Sequence, residues 1–124
     1  SRMNVVLIIE DDANIVDATS LLLEDAGYEV LSARNAEQAH ALVEQRPDID
    51  VVFTDVNLHG AVNGIELARQ LKQRGSRAST VVVSGDLGWA DTQLDADMRF
   101  LAKPYGRQTL LAAVAEACAR KSQV

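Results

Sequence analysis

A short β-branched run followed by a helix-periodic stretch recurs along the chain, and this alternation constrains the fold more than any other feature of the sequence. The first run, Val5-Val6-Leu7-Ile8-Ile9, is continuously apolar rather than alternating, which predicts a strand buried on both faces. Ile15, Ala18, Leu22, Leu23 and Ala26 then follow at the spacing of one helix face, with Gly27 as the stop. Residues 28–33 read as a second strand. Asn35-Ala36-Glu37-Gln38 has capping-box form and opens a second helix that ends before Pro47. The cycle repeats with a strand over 51–54 and a helix over 64–74 carrying Ile65, Leu67, Ala68 and Leu71. A strand over 80–83 precedes a weak helical stretch within 89–97. A fifth strand over 99–102 and a helix over 106–121, with Leu110, Leu111, Val114 and Cys118 on one face, complete the pattern.

Five strands alternating with five helices predict an α/β fold, a parallel sheet covered on both sides. At 124 residues there is room for one domain, taken as 4–121 with a 122–124 tail. Ser1-Arg2 ahead of Met3 reads as a cloning scar. The longest apolar run is six residues (110–115), too short for a membrane span, and no secretory leader is visible. A single cysteine, Cys118, excludes an internal disulfide and points to a reducing, cytoplasmic setting. A net charge of −6 repels a phosphate backbone, which argues against direct nucleic-acid binding. The one basic concentration, Arg69, Lys72, Arg74 and Arg77, fits a helix C-terminus, where cations meet the negative end of the dipole.

Polar residues stand at the carboxyl ends of four of the five strands: Glu10, Asp11 and Asp12 after the first, Asp55 after the third, Ser84 after the fourth, and Lys103-Pro104 after the fifth. In a parallel sheet these ends share one edge, where ligands bind at the reversal of strand order. Glu10, Asp11 and Asp55 would then converge in a partly desolvated cleft, a costly arrangement without a cation. An oxygen-only donor set with open positions suits Mg²⁺, or Mn²⁺, rather than zinc. An acid after a strand is also a common helix N-cap, and Asp12 or Asn14 fits that role, with Asp11 a further candidate. No helical pattern follows Asp55 until about Asn63, so capping does not account for it. Lys103, beside the acids, reads as a fixed counter-charge, and Pro104 is a candidate for a cis bond.

With these residues in this order on a five-fold βα pattern, the chain resembles the response-regulator receiver domains of two-component signalling, over about residues 4–121. The resemblance implies a doubly wound, flavodoxin-like sheet of order 2-1-3-4-5 with helices on both faces. It implies that Asp55 accepts a phosphoryl group from a histidine kinase or histidine phosphotransfer protein, the domain catalysing only its own phosphoryl transfer and autodephosphorylation. Mg²⁺ would be held by Asp11 and Asp55, by Glu10 through water, and by the backbone carbonyl of Asn57. Lys103 would bind a phosphoryl oxygen, and Ser84 would turn in as the hydroxyl switch. The aromatic switch position, three residues before the lysine, holds Phe100, which also fits a core phenylalanine. Tyr105 is a second aromatic with a less defined part. Asn57 and Asp86 occupy positions resembling those that tune phosphoryl lifetime.

The sequence departs from the family pattern after Asp55, where His59 replaces a usual proline and one extra residue precedes Asn63-Gly64. The interval from Ser84 to Lys103 is short, and Trp89 falls within it. Two other functions remain to weigh: a protein-interaction module of the same fold that works without phosphorylation, and a Mg²⁺-dependent phosphohydrolase. Asn57 stands where the latter needs a second aspartate as general acid. The expected partners are the phosphoryl donor and a downstream protein, with no membrane contact, and homodimerisation stays open. The domain is expected to be either free-standing or part of a larger protein such as a hybrid histidine kinase.

Overall fold

A computed structural model describes residues 2–58, 60, 62–86 and 94–122. Its elements are β1 (Val5–Ile9), α1 (Ala13–Asp25), β2 (Glu29–Ala33), α2 (Ala36–Gln45), β3 (Val51–Asp55), α3 (Gly64–Gln73), β4 (Ser79–Ser84), β5 (Met98–Ala102) and α4 (Arg107–Ser122). The five strands are parallel in the order β2-β1-β3-β4-β5, the expected doubly wound sheet. Among the described residues there are four helices. The weak helix expected within 89–97 falls largely outside them, as do His59 and Trp89, and the described stretch 94–97 is coil and turn.

Strand pleating explains why β1, β3 and β4 are apolar without alternation. Val6, Ile8, Val51, Phe53, Val81 and Val83 face α1 and α4, packing with Leu23, Leu110 and Val114. Their neighbours Val5, Leu7, Ile9 and Val52 face the other way, onto Ala39 of α2 and Leu67 and Leu71 of α3. Both faces of each central strand are dry, whereas the edge strands β2 and β5 are only partly buried.

Two local expectations need correction. On α1 the buried residues are Thr19 and Leu23, while Ala18 and Ala26 are exposed. The i, i+4, i+8 row through Ile15 passes through 19 and 23, so the polar Thr19, rather than Ala18, lies on the inner face. Tyr28 precedes β2 instead of opening it, because its N–H closes the end of α1 on the Leu23 carbonyl (3.1 Å). Gly27, at φ 96°, supplies the left-handed turn between them.

The helix starts follow from side-chain caps. Asp12, not Asp11 or Asn14, caps α1, accepting from the Asn14 and Ile15 N–H groups (2.9 and 3.3 Å). Asn35 accepts from the Gln38 N–H (2.9 Å), and the Gln38 amide oxygen reaches back to the Arg34 N–H (2.8 Å). Asn63 caps α3 on the Glu66 N–H (2.8 Å). Of the basic group near the end of α3, Arg69 pairs with Asp95 (3.2 Å) and Lys72 with Asp97 (2.5 Å).

At the amino-terminal edge of the sheet, Asp50 is buried and joins three parts of the chain. It accepts from the Val5 N–H (2.8 Å), from Arg2 (2.8 and 3.0 Å) and from Lys121 of α4 (2.7 Å). Burial would raise its carboxyl, but these donors outweigh that and hold it at about 2.

Candidate functional site

The opposite, carboxyl edge gathers Glu10 from just after β1, Asp55 from β3, Ser84 from β4 and Lys103 from just after β5. Parallel register brings them there: Ile9 lies beside Thr54, Asp55 beside Val83, and Ser84 beside Ala102. The Val56 N–H continues the ladder to the Val83 carbonyl (2.9 Å), and the Lys103 N–H continues it to the Ser84 carbonyl (2.9 Å). These side chains therefore sit on the last rungs of the sheet, where the ladder hydrogen bonds hold their backbone.

Asp55 is 7% exposed, and both of its carboxylate oxygens are engaged. One accepts from the Asn57 N–H (2.8 Å), and the other takes the ammonium of Lys103 in a close ion pair. Burial works against the Lys103 charge, yet the bond to Asp55 and its charge, with Glu10 and Tyr105 adding, keep its ammonium above its ordinary pKa. Glu10, also buried, turns its carboxylate onto the N–H groups of Asp11 (2.9 Å) and Asp12 (3.1 Å). Its carboxyl is pushed up to about 7, first by burial and further by Asp11 and Asp55, against the pull of the Asp12 N–H. Asp11 is half-buried beside it.

Ser84 is fully buried, and its hydroxyl oxygen accepts from the Asp86 N–H (3.0 Å). That bond uses a lone pair and leaves the hydroxyl proton for an acceptor. Phe100 lies on the edge strand β5 opposite Val82 and is half-buried. The Lys103-Pro104 bond is cis.

The donor chemistry of Glu10, Asp11 and Asp55 fits a hard divalent cation: all oxygen, crowded enough to raise Glu10, with one lysine as counter-charge. As arranged, though, no three His, Cys, Asp or Glu side chains among the described residues close on one point as a ligand set. Glu10 is turned to the Asp11 and Asp12 N–H groups, and Asp55 to the Asn57 N–H and Lys103.

Three residues important to this edge were not singled out for these parts by the sequence reading. Gly64 opens α3 directly against the Asp55 carbonyl, and its N–H bonds the Val56 carbonyl (2.9 Å). Tyr105 stacks edge-on against Phe53 (centroids 6.0 Å apart, planes at 85°) and shares a hydrogen bond with Thr19 (2.8 Å). Thr19 was recoverable from the Ile15-Thr19-Leu23 spacing; the Gly64 contact joins segments whose packing no local pattern encodes.

Comparison with known proteins bears on this arrangement. The family model described as the response regulator receiver domain matches residues 6–115, most of the chain. The chain belongs to the response-regulator receiver family. It is 46% identical over 69 residues to the phosphate regulon transcriptional regulatory protein PhoB of Pseudomonas aeruginosa, covering 55% of this chain and 29% of that protein. To the alginate biosynthesis transcriptional regulatory protein AlgB of the same organism it is 32% identical over 115 residues, covering 90% of this chain and 25% of that one. Among solved structures, the receiver domain from the hybrid histidine kinase CckA superposes with a TM-score of 0.79 at 27% identity, covering 93% of this chain and 99% of that one. The chain thus spans between a quarter and a third of these two curated relatives. Receiver domains are signalling modules of two-component systems that interact with histidine kinases and downstream effectors. No helix among the described residues is long and apolar enough to cross a membrane.

Proposed function

We propose that this receiver domain, over residues 4–121, is a Mg²⁺-dependent phosphorylatable switch whose phosphoacceptor is Asp55. The observation that carries the reading is the Asp55 carboxylate itself. It is buried on the last rung of β3, fixed by the Asn57 N–H and by Lys103, with Glu10 alongside. A carboxylate oxygen of Asp55 attacks the phosphorus of a phosphohistidine in a histidine kinase or phosphotransfer protein. The P–N bond breaks, the imidazole leaves with a proton, and an acyl phosphate forms. Such transfer needs positioning and charge neutralisation more than covalent help from the protein. Lys103 supplies one fixed positive charge for a phosphoryl oxygen. Asp11 and Asp55, Glu10 through water and the Asn57 carbonyl would hold Mg²⁺, which supplies the remaining neutralisation when bound. Ser84 has a hydroxyl proton to offer the new phosphoryl group, and Phe100, half-exposed on the edge strand, is the aromatic able to move with it. Phosphorylation then alters binding to a downstream protein.

Intact mass after incubation with acetyl phosphate and Mg²⁺ tests this. Wild type gains one phosphoryl group, whereas Asp55→Asn or added chelator prevents the gain. Equal incorporation in Asp55→Asn overturns the assignment.

A further inference from the structure

Lys103 neutralises Asp55 through a long side chain, so the position of its charge depends on how firmly the backbone of the 103–105 turn is held. On the amino side that backbone is anchored by the Lys103 N–H to the Ser84 carbonyl. On the carboxyl side Pro104 has no N–H to offer, and the next residue able to anchor the turn is Tyr105. Its ring lies edge-on to Phe53, two residues before Asp55 on the same strand. Its hydroxyl meets Thr19, 86 residues away in sequence and 3% exposed on the inner face of α1. Thr19, Phe53, Asp55, Lys103 and Tyr105 all line one void of only about 10 Å³, enough for about one water at most. These groups are therefore packed as a unit, and the hydroxyl pair is its polar link to α1.

We propose that Tyr105 is a positioning residue: its hydroxyl, bonded to Thr19, fixes the 103–105 turn so that the Lys103 ammonium stays on Asp55, and thereby couples α1 to that carboxylate. The Phe53 contact alone does not do this. An edge-on ring pair tolerates sliding, whereas a hydroxyl–hydroxyl bond is lost within a few tenths of an ångström. The kinetic part of the inference rests on the reading of Asp55 as phosphoacceptor; the structural part does not.

Two conservative variants, Tyr105→Phe and Thr19→Val, remove the bond while keeping ring and volume. With acetyl phosphate and Mg²⁺, each should lower the maximal phosphorylation rate about fivefold with the half-saturating donor concentration unchanged. In a Lys103→Ala background the same substitutions should produce no further loss, because Tyr105 acts through Lys103. A second fivefold drop in that background would overturn the proposal and assign Tyr105 a general structural part. Carbon relaxation at the Lys103 Cε gives an arm independent of phosphorylation: its order parameter should fall in both variants. An unchanged order parameter overturns the proposal. A wild type that takes up no phosphoryl group sinks the functional reading alone, and the relaxation result still decides the positioning part.

Discussion

Replacing Gly64 with alanine places one methyl group against the backbone that carries Asp55. A Cβ at this position would lie 2.0 Å from the Asp55 carbonyl oxygen, 2.7 Å from the Thr54 hydroxyl and 2.9 Å from the Asp55 carbonyl carbon. Ordinary non-bonded contact needs about 3.5 Å, so about 1.5 Å must open against the closest atom. That atom is backbone, and no rotamer change relieves it. Either α3 slides off the end of β3, stretching the 2.9 Å bond from the Gly64 N–H to the Val56 carbonyl, or the end of β3 moves and takes Asp55 with it. Overpacking of this kind costs about 1–3 kcal/mol, partly offset by the better helix propensity of alanine, which leaves about 2 kcal/mol. For 124 residues that corresponds to a fall of about 8 °C in Tm. Gly106 is the matched control, because a Cβ there meets nothing within 4 Å, and Gly106→Ala should stay within about 0.5 kcal/mol of wild type. Thermal and urea unfolding measure the stability loss, and the acetyl phosphate reaction, run well below Tm, reads the displacement of Asp55 as a slower rate. A Gly64→Ala variant with wild-type Tm and wild-type rate would refute this account of the β3–α3 junction.

The Asp50 carboxyl sits at about 2 in the fold against an ordinary 3.8, so its contribution of about 2 kcal/mol is complete above about pH 4 and is lost as the pH falls through about 2. Urea midpoints from pH 2 to 7 should therefore show a flatter acid limb in Asp50→Asn than in wild type; equal limbs would contradict the assignment. Asp12→Ala should destabilise by about 1 kcal/mol and Asn14→Ala by under about 0.5 kcal/mol in the same assay, and the reverse order would move the α1 cap to Asn14. Lys103→Ala removes the fixed charge on Asp55 and should slow phosphorylation by acetyl phosphate at least about tenfold, which stopped-time mass spectrometry can read.

The sheet was legible because β1, β3 and β4 are dense β-branched runs and α1, α2 and α3 carry their own period and side-chain cap. Asp12, Asn35 and Asn63 mark helix starts that the coordinates reproduce within a residue or two. Glu10, Asp55, Ser84 and Lys103 could be placed on one edge from the sequence, since parallel topology alone sends every strand's carboxyl end there. What the sequence did not reveal depends on three-dimensional packing. Thr19 looked like a polar interruption of an apolar helix face, yet it is the buried partner of Tyr105. Ala18 and Ala26 looked like face residues because alanine fits either environment, and they are exposed. Asp50 was one acid among eighteen until the fold brought Arg2, Val5 and Lys121 around it. The cation site was expected as a convergence of carboxylates, whereas Glu10 spends its oxygen on backbone N–H groups and Asp55 on Lys103. Short-range hydrogen bonds of that kind have no signature in residue spacing.

Reductive trapping reads whether the Asp55 carboxylate itself becomes the acyl phosphate. Borohydride reduces an acyl phosphate to the alcohol, releasing phosphate and converting the modified aspartate to homoserine. After reaction with acetyl phosphate and Mg²⁺, peptide mapping of the reduced protein should find homoserine at position 55 and nowhere else, and none when chelator is present. Homoserine at Asp11 or Asp12, or an unreduced Asp55 in protein that has gained a phosphoryl group, would contradict this assignment.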